Sequence, residues 1–361
     1  MEQSFYFEYV EKYFPGLVLS IVEKLNERNG ALSYLYRDML TPRYSVDGKW
    51  ASVLANYTRV AADVVALDSE LPLKTRDTLE AVTGDIPKLG MKLYLTEKQI
   101  KDLDAMIATN VNLDAILQTM FQDAPRVIAG VYERIEDIFL SELSTGVGLS
   151  TRSNGTGVRV DVKYKSANQK KVNVVWNGNA ATSTPIDDIQ AVIDASIEDQ
   201  INLTDVYADD YALRAMYSSD QVRQRYAFSV GFVGSNIPNL SFEKVRSLFM
   251  DEWGLTLHRV ARKIKTELNG VKQNHAAWAE GRLVFTAGTN VGDLVWTECA
   301  EAQAAHRVAD VAYQTVDEYM LVSRYSKNDP LREFTSSQAM VVPIINNVDR
   351  IYTLDSKTAN S

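Results

Sequence analysis

The stretch that decides the reading is Lys327-Asn328-Asp329-Pro330-Leu331-Arg332-Glu333-Phe334-Thr335, with Ala339-Met340-Val341-Val342-Pro343 and Asn347-Val348-Asp349-Arg350-Ile351-Tyr352-Thr353-Leu354-Asp355 after it. An Asn-Asp-Pro turn feeding short apolar runs, one interrupted by a proline, predicts a strand, a turn and an edge strand. Proline presets the turn dihedral and has no N–H to give to a ladder. Val342, Ile344, Val348 and Ile351 are apolar enough to bury. The segment from Ala339 to Leu354 is therefore expected to complete a sheet.

Working outward, 361 residues with 46% hydrophobic content can bury a sizeable core. That length fits about two or three lobes of ~150 residues each. The net charge of -9 disfavours nonspecific attraction to nucleic acid or anionic lipid. A single cysteine, Cys299, excludes an internal disulfide. Glu2, Glu8 and Glu11 surround the first aromatics without a basic region, so no signal peptide is expected, and no apolar run approaches the ~20 residues that cross a bilayer.

Near the start, Phe14, Leu17, Val18, Ile21, Val22 and Leu25 recur at three and four residues and predict a short amphipathic helix after Pro15. From Thr58 to Leu95 an alternating stretch punctuated by Pro72, Gly84, Pro87 and Gly90 reads as a long two-stranded excursion, its polar tip at Leu73-Lys74-Thr75-Arg76-Asp77. A compact domain rarely carries so long a connection unless it acts outside its own core.

Thr96-Glu97-Lys98-Gln99 fits a capping box, so a helix is expected to start there. Apolar positions from Leu113 through Leu143 hold one helical face, and Pro125 inside it predicts a break near Asp123. Thirty residues of helix would reach ~45 Å. Gly146 to Gly157 reads as a flexible connection, and the alternating runs at Val158 to Tyr164 and Val172 to Trp176 as a hairpin. Thr184-Pro185-Ile186-Asp187 opens a helix with Ile186, Ile189, Val192, Ile193 and Ile197 as its buried face, and Ser241 starts another that stops at Gly254. Strands are expected at Arg282 to Thr286, Asp293 to Thr297 and Glu318 to Arg324. Without regular βαβ alternation the sum is an α+β fold.

Chemistry is sparse. His258, His275 and His306 have no His or Cys partner at metal-site spacing, so no metal or cofactor is called for. Cys299 is expected to be a buried, inert thiol. Asp187-Asp188 and Asp209-Asp210 sit where acids favour a helix start or face solvent. Arg259, Arg262, Lys263 and Lys265 are expected either to be a solvated face or to meet acids on a neighbour. No catalytic residue is assigned. An enzyme or carbohydrate-binding protein, suggested by Trp176, Trp253, Trp278 and Trp296, is the rival class.

The layout, with Glu70-Leu71-Pro72 in the excursion and Ser326 through Asp355 in the tail, resembles the lambda-type major capsid protein E family of tailed bacteriophages. The resemblance implies the Hong Kong ninety-seven capsid fold: an N-terminal arm (1–57), an extended loop (58–95), a peripheral domain with a long spine helix (96–180), an axial domain (181–280) and a return through the peripheral domain (281–361). It implies a non-enzymatic major capsid protein that forms pentamers and hexamers and encloses double-stranded DNA without reading its sequence. Leu73, Lys74, Thr75, Arg76 and Asp77 would be assembly contacts. Scaffold, portal and decoration proteins would be partners, with assembly in the host cytoplasm, residence in the virion and no membrane. Some relatives join subunits through a lysine of the extended loop and an asparagine. Lys74, Lys88, Lys92, Asn346 and Asn347 supply the residue types, but the charged tip keeps its amine protonated and a noncovalent shell is expected. An encapsulin-type nanocompartment shell is the alternative within the same fold.

Overall fold

Two sheets and a long buried helix organise the chain, and side-chain alternation along the strands decides which layer each face joins. The computed structural model describes residues 3–27, 33–55, 79–109, 111–151, 157–232, 237, 240–268 and 270–360. In chain order the first half runs α1 (Phe7–Leu25), α2 (Leu35–Met39), β1 (Leu40–Tyr44), β2 (Lys49–Ala55), β3 (Leu79–Asp85), β4 (Lys88–Leu95), α3 (Glu97–Ala108), α4 (Leu113–Met120), α5 (Ala124–Thr145), β5 (Val147–Thr151), β6 (Gly157–Asp161) and β7 (Gln169–Val172). The second half runs α6 (Pro185–Glu198), β8 (Asp205–Asp209), α7 (Asp210–Ser218), α8 (Asp220–Ser229), α9 (Phe242–Trp253), β9 (Thr256–Val260), β10 (Ile264–Leu268), β11 (Val271–His275), β12 (Arg282–Thr286), β13 (Gly292–Thr297), β14 (Ala312–Val316), β15 (Met320–Lys327), β16 (Arg332–Ile345) and β17 (Ile351–Ala359). This is the expected α+β class.

The first sheet has the order β1-β13-β16-β15-β14, with β4 also on β16. The second has the order β7-β17-β12-β8-β9. α5 lies on the first sheet through β16 and β4, and also meets α1, α2, β5, β10 and β12. Its interior Gly130 is unfavourable in a helix, and a Cβ there would meet Met91 Sδ of β4 at 2.5 Å, so a larger residue would have to displace the flexible end of Met91. Gly146, at φ 79°, stops the helix.

In the second sheet Leu283, Phe285, Tyr352 and Leu354 face α6, α7 and α9 in one core, whereas Val284, Ile351, Tyr207 and Val260 belong to the core around α5. The period of two along each strand thus joins the cores through one sheet.

The capping box at Thr96 holds, with Gln99 Oε1 accepting from the Thr96 N–H at 2.9 Å. The break before Pro125 holds as well, since α4 ends at Met120 and α5 starts at Ala124. The strands at Arg282–Thr286 and Gly292–Thr297, and α9 ending at Gly254, follow expectation.

Other expectations need correction. α1 starts at Phe7, with Pro15 inside it, because Val10, Phe14, Val18 and Val22 form a buried stripe across the proline. Four such side chains contribute roughly 1.5–3 kcal/mol each, enough to outweigh the ~3 kcal/mol cost of an interior proline. Val147–Thr151, read as a connection, is a strand paired with β6, while β7 runs parallel to β17, so the expected hairpin does not form. Ile197 is 64% exposed and does not belong to the buried face of α6.

The tail divides between the sheets: β16 crosses the first, and β17 crosses the second. Val342, Ile344, Val348 and Ile351 are all buried as expected. β16 is central over 333–339, flanked by β15 and β4, and only its end behaves as an edge. N–H groups of alternate residues point to the same side. Asn346 donates to Val291 O on the β13 side at 2.9 Å, and Ile345 donates away from it to Glu142 Oε1 at 2.9 Å. Pro343 shares the side of Ile345, where no ladder donor is required.

Candidate assembly interface

The expected excursion begins at Lys49 rather than Thr58, as an antiparallel ladder from Lys49↔Asp85 to Ala55↔Leu79. Among the described residues these two strands pair with no other strand. At ~3.4 Å per residue, seven residues carry the ribbon roughly 24 Å from its root. Local sequence fixes that root. Ser45 Oγ donates to Lys49 O at 2.6 Å, Ile86 N–H donates to Gly48 O at 2.9 Å, and buried Trp50 lies over Gly84, where a Cβ would meet the indole at 2.8 Å. The tip, Leu73, Lys74, Thr75, Arg76 and Asp77, and the Glu70-Leu71-Pro72 element lie outside the described residues.

The N-terminal segment that leads through α2 and β1 to the root is anchored on the long helix α5, which carries the buried acids Glu136, Asp137 and Glu142. Glu136 accepts the backbone N–H groups of Leu35 at 3.0 Å and Tyr36 at 3.1 Å. Burial pushes its carboxyl up to about 7, against those two hydrogen bonds and nearby Arg262. Burial likewise raises Asp137, opposed by Arg134 at 2.7 Å and by His275 at 3.4 Å. Glu142, raised well above the carboxylate range by burial, receives the Ile345 N–H.

A second joint sits beside it. Arg262 pairs with Glu133 and stacks 3.9 Å from the Tyr34 ring centre, while the Tyr34 hydroxyl donates to Glu133 at 3.1 Å. The N-terminal segment, the spine helix and the β9–β10 link thus meet at one place. Of the basic cluster, Arg259, Lys263 and Lys265 are exposed as expected, Arg259 also pairing with Asp210, whereas Arg262 is largely buried and pairs with Glu133 of the same chain. Sequence reasoning missed this joint because its members are separated by 99 and 129 positions.

The paired acids are also used internally. Asp188, expected at a helix start or in solvent, is buried and accepts from Trp176 Nε1 at 2.8 Å and Asn173 N–H at 3.0 Å. Asp209 caps α7 through the Ala212 N–H at 3.1 Å. Trp176 and Trp278 are core residues and offer no platform for a sugar. Cys299 is buried, and burial raises its thiol. Among the described residues no group of His, Cys, Asp and Glu is arranged for a metal ion, and no helix is long and apolar enough to cross a membrane.

What remains exposed is apolar surface spread over several projections. Val46 at the ribbon root is 88% exposed, Phe228 at the end of α8 81%, and Val271 on β11 58%. Apolar side chains left open on projecting elements suit contacts with other chains.

No known family model and no curated protein sequence matches this chain. Solved structures do. A protein assigned as the capsid protein of an Escherichia coli prophage is 14% identical, with 94% of this chain and 98% of that chain covered and a TM-score of 0.56. A phage-related protein of Bordetella bronchiseptica is 10% identical, with 96% and 98% covered and a TM-score of 0.50. The likeness runs over nearly the whole of each chain, so the expectation holds at the level of fold: the chain has a Hong Kong ninety-seven-like capsid fold.

Proposed function

We propose that this chain is a major capsid protein whose copies self-assemble, as pentamers and hexamers, into the icosahedral head of a tailed phage around its double-stranded DNA. The observation that carries the reading is the end-to-end likeness in fold to the prophage capsid protein. The projecting β2–β3 ribbon supports it, because a two-stranded ribbon outside any sheet is marginal alone and gains stability by lying on another surface. In this reading 1–48 is the arm, the extended loop runs from Lys49 to Asp85 with β2 and β3 as its stem, 88–180 and 281–361 form the peripheral domain, β4 included, and 181–280 the axial domain. Leu73, Lys74, Thr75, Arg76 and Asp77 rest on a neighbouring copy.

Contacts of roughly 800 Å² per partner, repeated on several sides of each copy, close a stable shell although each is modest. Such a shell needs no catalytic centre. Its DNA contacts are independent of sequence, and the chain's net charge of -9 keeps DNA from being held tightly. Scaffold, portal and decoration proteins are the expected partners, with noncovalent contacts between copies, assembly in the host cytoplasm and residence in the virion. Sedimentation velocity of the purified chain, alone and co-expressed with its scaffold, tests the reading. Species at ring or shell mass are expected, and a monomer at every concentration in both preparations overturns it.

A further inference from the structure

The first sheet buries one face against α5 and leaves part of the other open. On β16 the odd-numbered residues turn inward: Ser337 Oγ donates to Val127 O of α5, and Thr335 accepts from buried Arg324. Alternation puts Arg332, Phe334 and Ser336 on the outer face. Directly paired residues share a face, which adds Lys327, Tyr325 and Ser323 from β15 and Tyr94 and Lys92 from β4. Tyr94, Phe334 and Tyr325 thus form one row of rings across three strands, with centres 5.8 and 5.3 Å apart. Arg332 lies 4.1 Å from the ring centre of Tyr94, and Lys92 4.9 Å from that of Phe334. Lys92, Tyr94 and Lys327 are exposed, and Arg332 and Tyr325 are half-buried. No acid stands on these rows, and among the described residues Lys92, Lys327 and Arg332 have no acidic partner.

The chain carries the complementary chemistry in its own excursion. The limb from Val60 to Leu73 holds Asp63, Asp68 and Glu70 among Val64, Val65, Leu67 and Leu71, and contains no basic residue. These positions lie outside the described residues, and what they bring is fixed by composition: aliphatic groups for the rings and carboxylates for the cations. The β2–β3 ladder that leads to them is marginal alone and needs a second surface. Nucleic acid fits the sheet face less well. Its rings are covered by Arg332, Lys92 and one another, which leaves no free platform for stacking a base, and phosphate would meet a chain of net charge -9.

We propose that the 60–73 limb of one copy docks on the outer face of the first sheet of another copy, its aliphatic side chains over the ring row and its carboxylates at Lys92, Lys327 and Arg332. This contact rests on the reading of the chain as a self-assembling shell protein and names the surface that receives the excursion. A contact between two different patches is heterologous, the kind that closes rings when its rotation closes. The aliphatic groups exclude water, and the charges fix register and orientation.

Charge exchange and cross-linking test it. Lys92→Glu/Arg332→Glu and Asp68→Lys/Glu70→Lys variants should each reduce the assembled fraction about tenfold at fixed concentration, and the combined four-site variant should restore it. The melting temperature of unassembled protein checks that each still folds. Lys92→Cys is also combined in turn with Asp63→Cys, Asp68→Cys and Glu70→Cys, Cys299 being buried. After oxidation of the particles, at least one pair should give covalent multimers on a non-reducing denaturing gel. Monomer bands from all three pairs, whether unlinked or linked internally, overturn the contact between copies. Sheet-face variants that assemble like the wild type but retain less DNA overturn it in favour of nucleic acid. A wild-type chain that remains monomeric overturns the shell reading and the contact with it, whereas wild-type particles with unaffected variants overturn the contact alone.

Discussion

Arg324 and Glu333 pair at 3.0 Å, both side chains nearly inaccessible to solvent, across the hairpin that the Asn328-Asp329-Pro330 turn closes. Arg324 also donates to Met120 O at 2.9 Å, where α4 ends, and lies 4.9 Å from the Phe121 ring centre. Glu333 accepts from Ser4 Oγ, and from the Phe5 N–H at 3.3 Å. One ion pair therefore ties the N-terminal segment and the α4–α5 break to the central strand of the first sheet.

Removing one partner strands the other charge in the core. Arg324→Met should lower unfolding free energy by roughly 3–5 kcal/mol, while Arg324→Met with Glu333→Leu should recover most of the loss. Urea unfolding of the unassembled chain measures both. A double variant as unstable as the single one would show that the hydrogen bonds to Met120, Ser4 and Phe5, rather than the stranded charge, dominate.

Glu136 gives the joint between the N-terminal segment and the spine helix a pH dependence. Burial raises its folded value to about 7, above the ordinary 4.5. The folded state therefore binds the proton more tightly than the unfolded one. The stabilisation is complete below 4.5 and is lost as pH rises through about 7, on the order of 3 kcal/mol in all. Glu136→Gln should be less stable at pH 5, because its amide N–H₂ opposes one of the two backbone N–H groups, yet should fall less between pH 5 and 8. Melting curves across that range decide the matter, and parallel slopes for the two proteins would refute it.

The tail prediction follows from its division between sheets. Truncation after Gln338 removes Val341, Val342, Ile344 and Ile345 from the first core and Tyr352 and Leu354 from the second. Each buried aliphatic lost costs ~2–5 kcal/mol, so the truncated protein should be insoluble. Ending the chain after Asn347 keeps β16 but removes β17, taking Val348 and Ile351 from the first core and Tyr352 and Leu354 from the second, and should leave the first sheet paired but the second core open, seen as dye-binding apolar surface. A soluble protein of normal stability from either truncation contradicts the topology.

For the excursion, deleting Lys74 to Thr78 should leave the melting of the unassembled chain nearly unchanged, because the ribbon root at Trp50 and Gly84 is untouched, while assembly is lost. A deletion that unfolds the chain but spares assembly would reverse the assignment of the tip to a neighbouring copy.

Local signals carried much of the fold. Thr96 with Gln99 and Pro125 each act within one turn of helix, so their readings hold. Strand partners do not follow from local sequence. Val158 and Val172 alternate well enough for a hairpin, yet β6 turns back to β5 and β7 meets β17, nearly two hundred positions away. Asp205-Val206-Tyr207-Ala208-Asp209 is buried on both faces and shows no alternation from which a strand could be read. The joint of Tyr34, Glu133 and Arg262 depends on folding to bring three distant segments together. The assembly tip was legible only as a polar interruption in a long excursion, since its proposed partner belongs to another copy.

Negative-stain electron microscopy of the purified full-length chain, expressed with and without its scaffold, tests the central claim most directly. The account predicts closed icosahedral particles, or rings of five and six copies, in at least one preparation. A uniform field of single subunits in both, from protein that melts cooperatively, would contradict it.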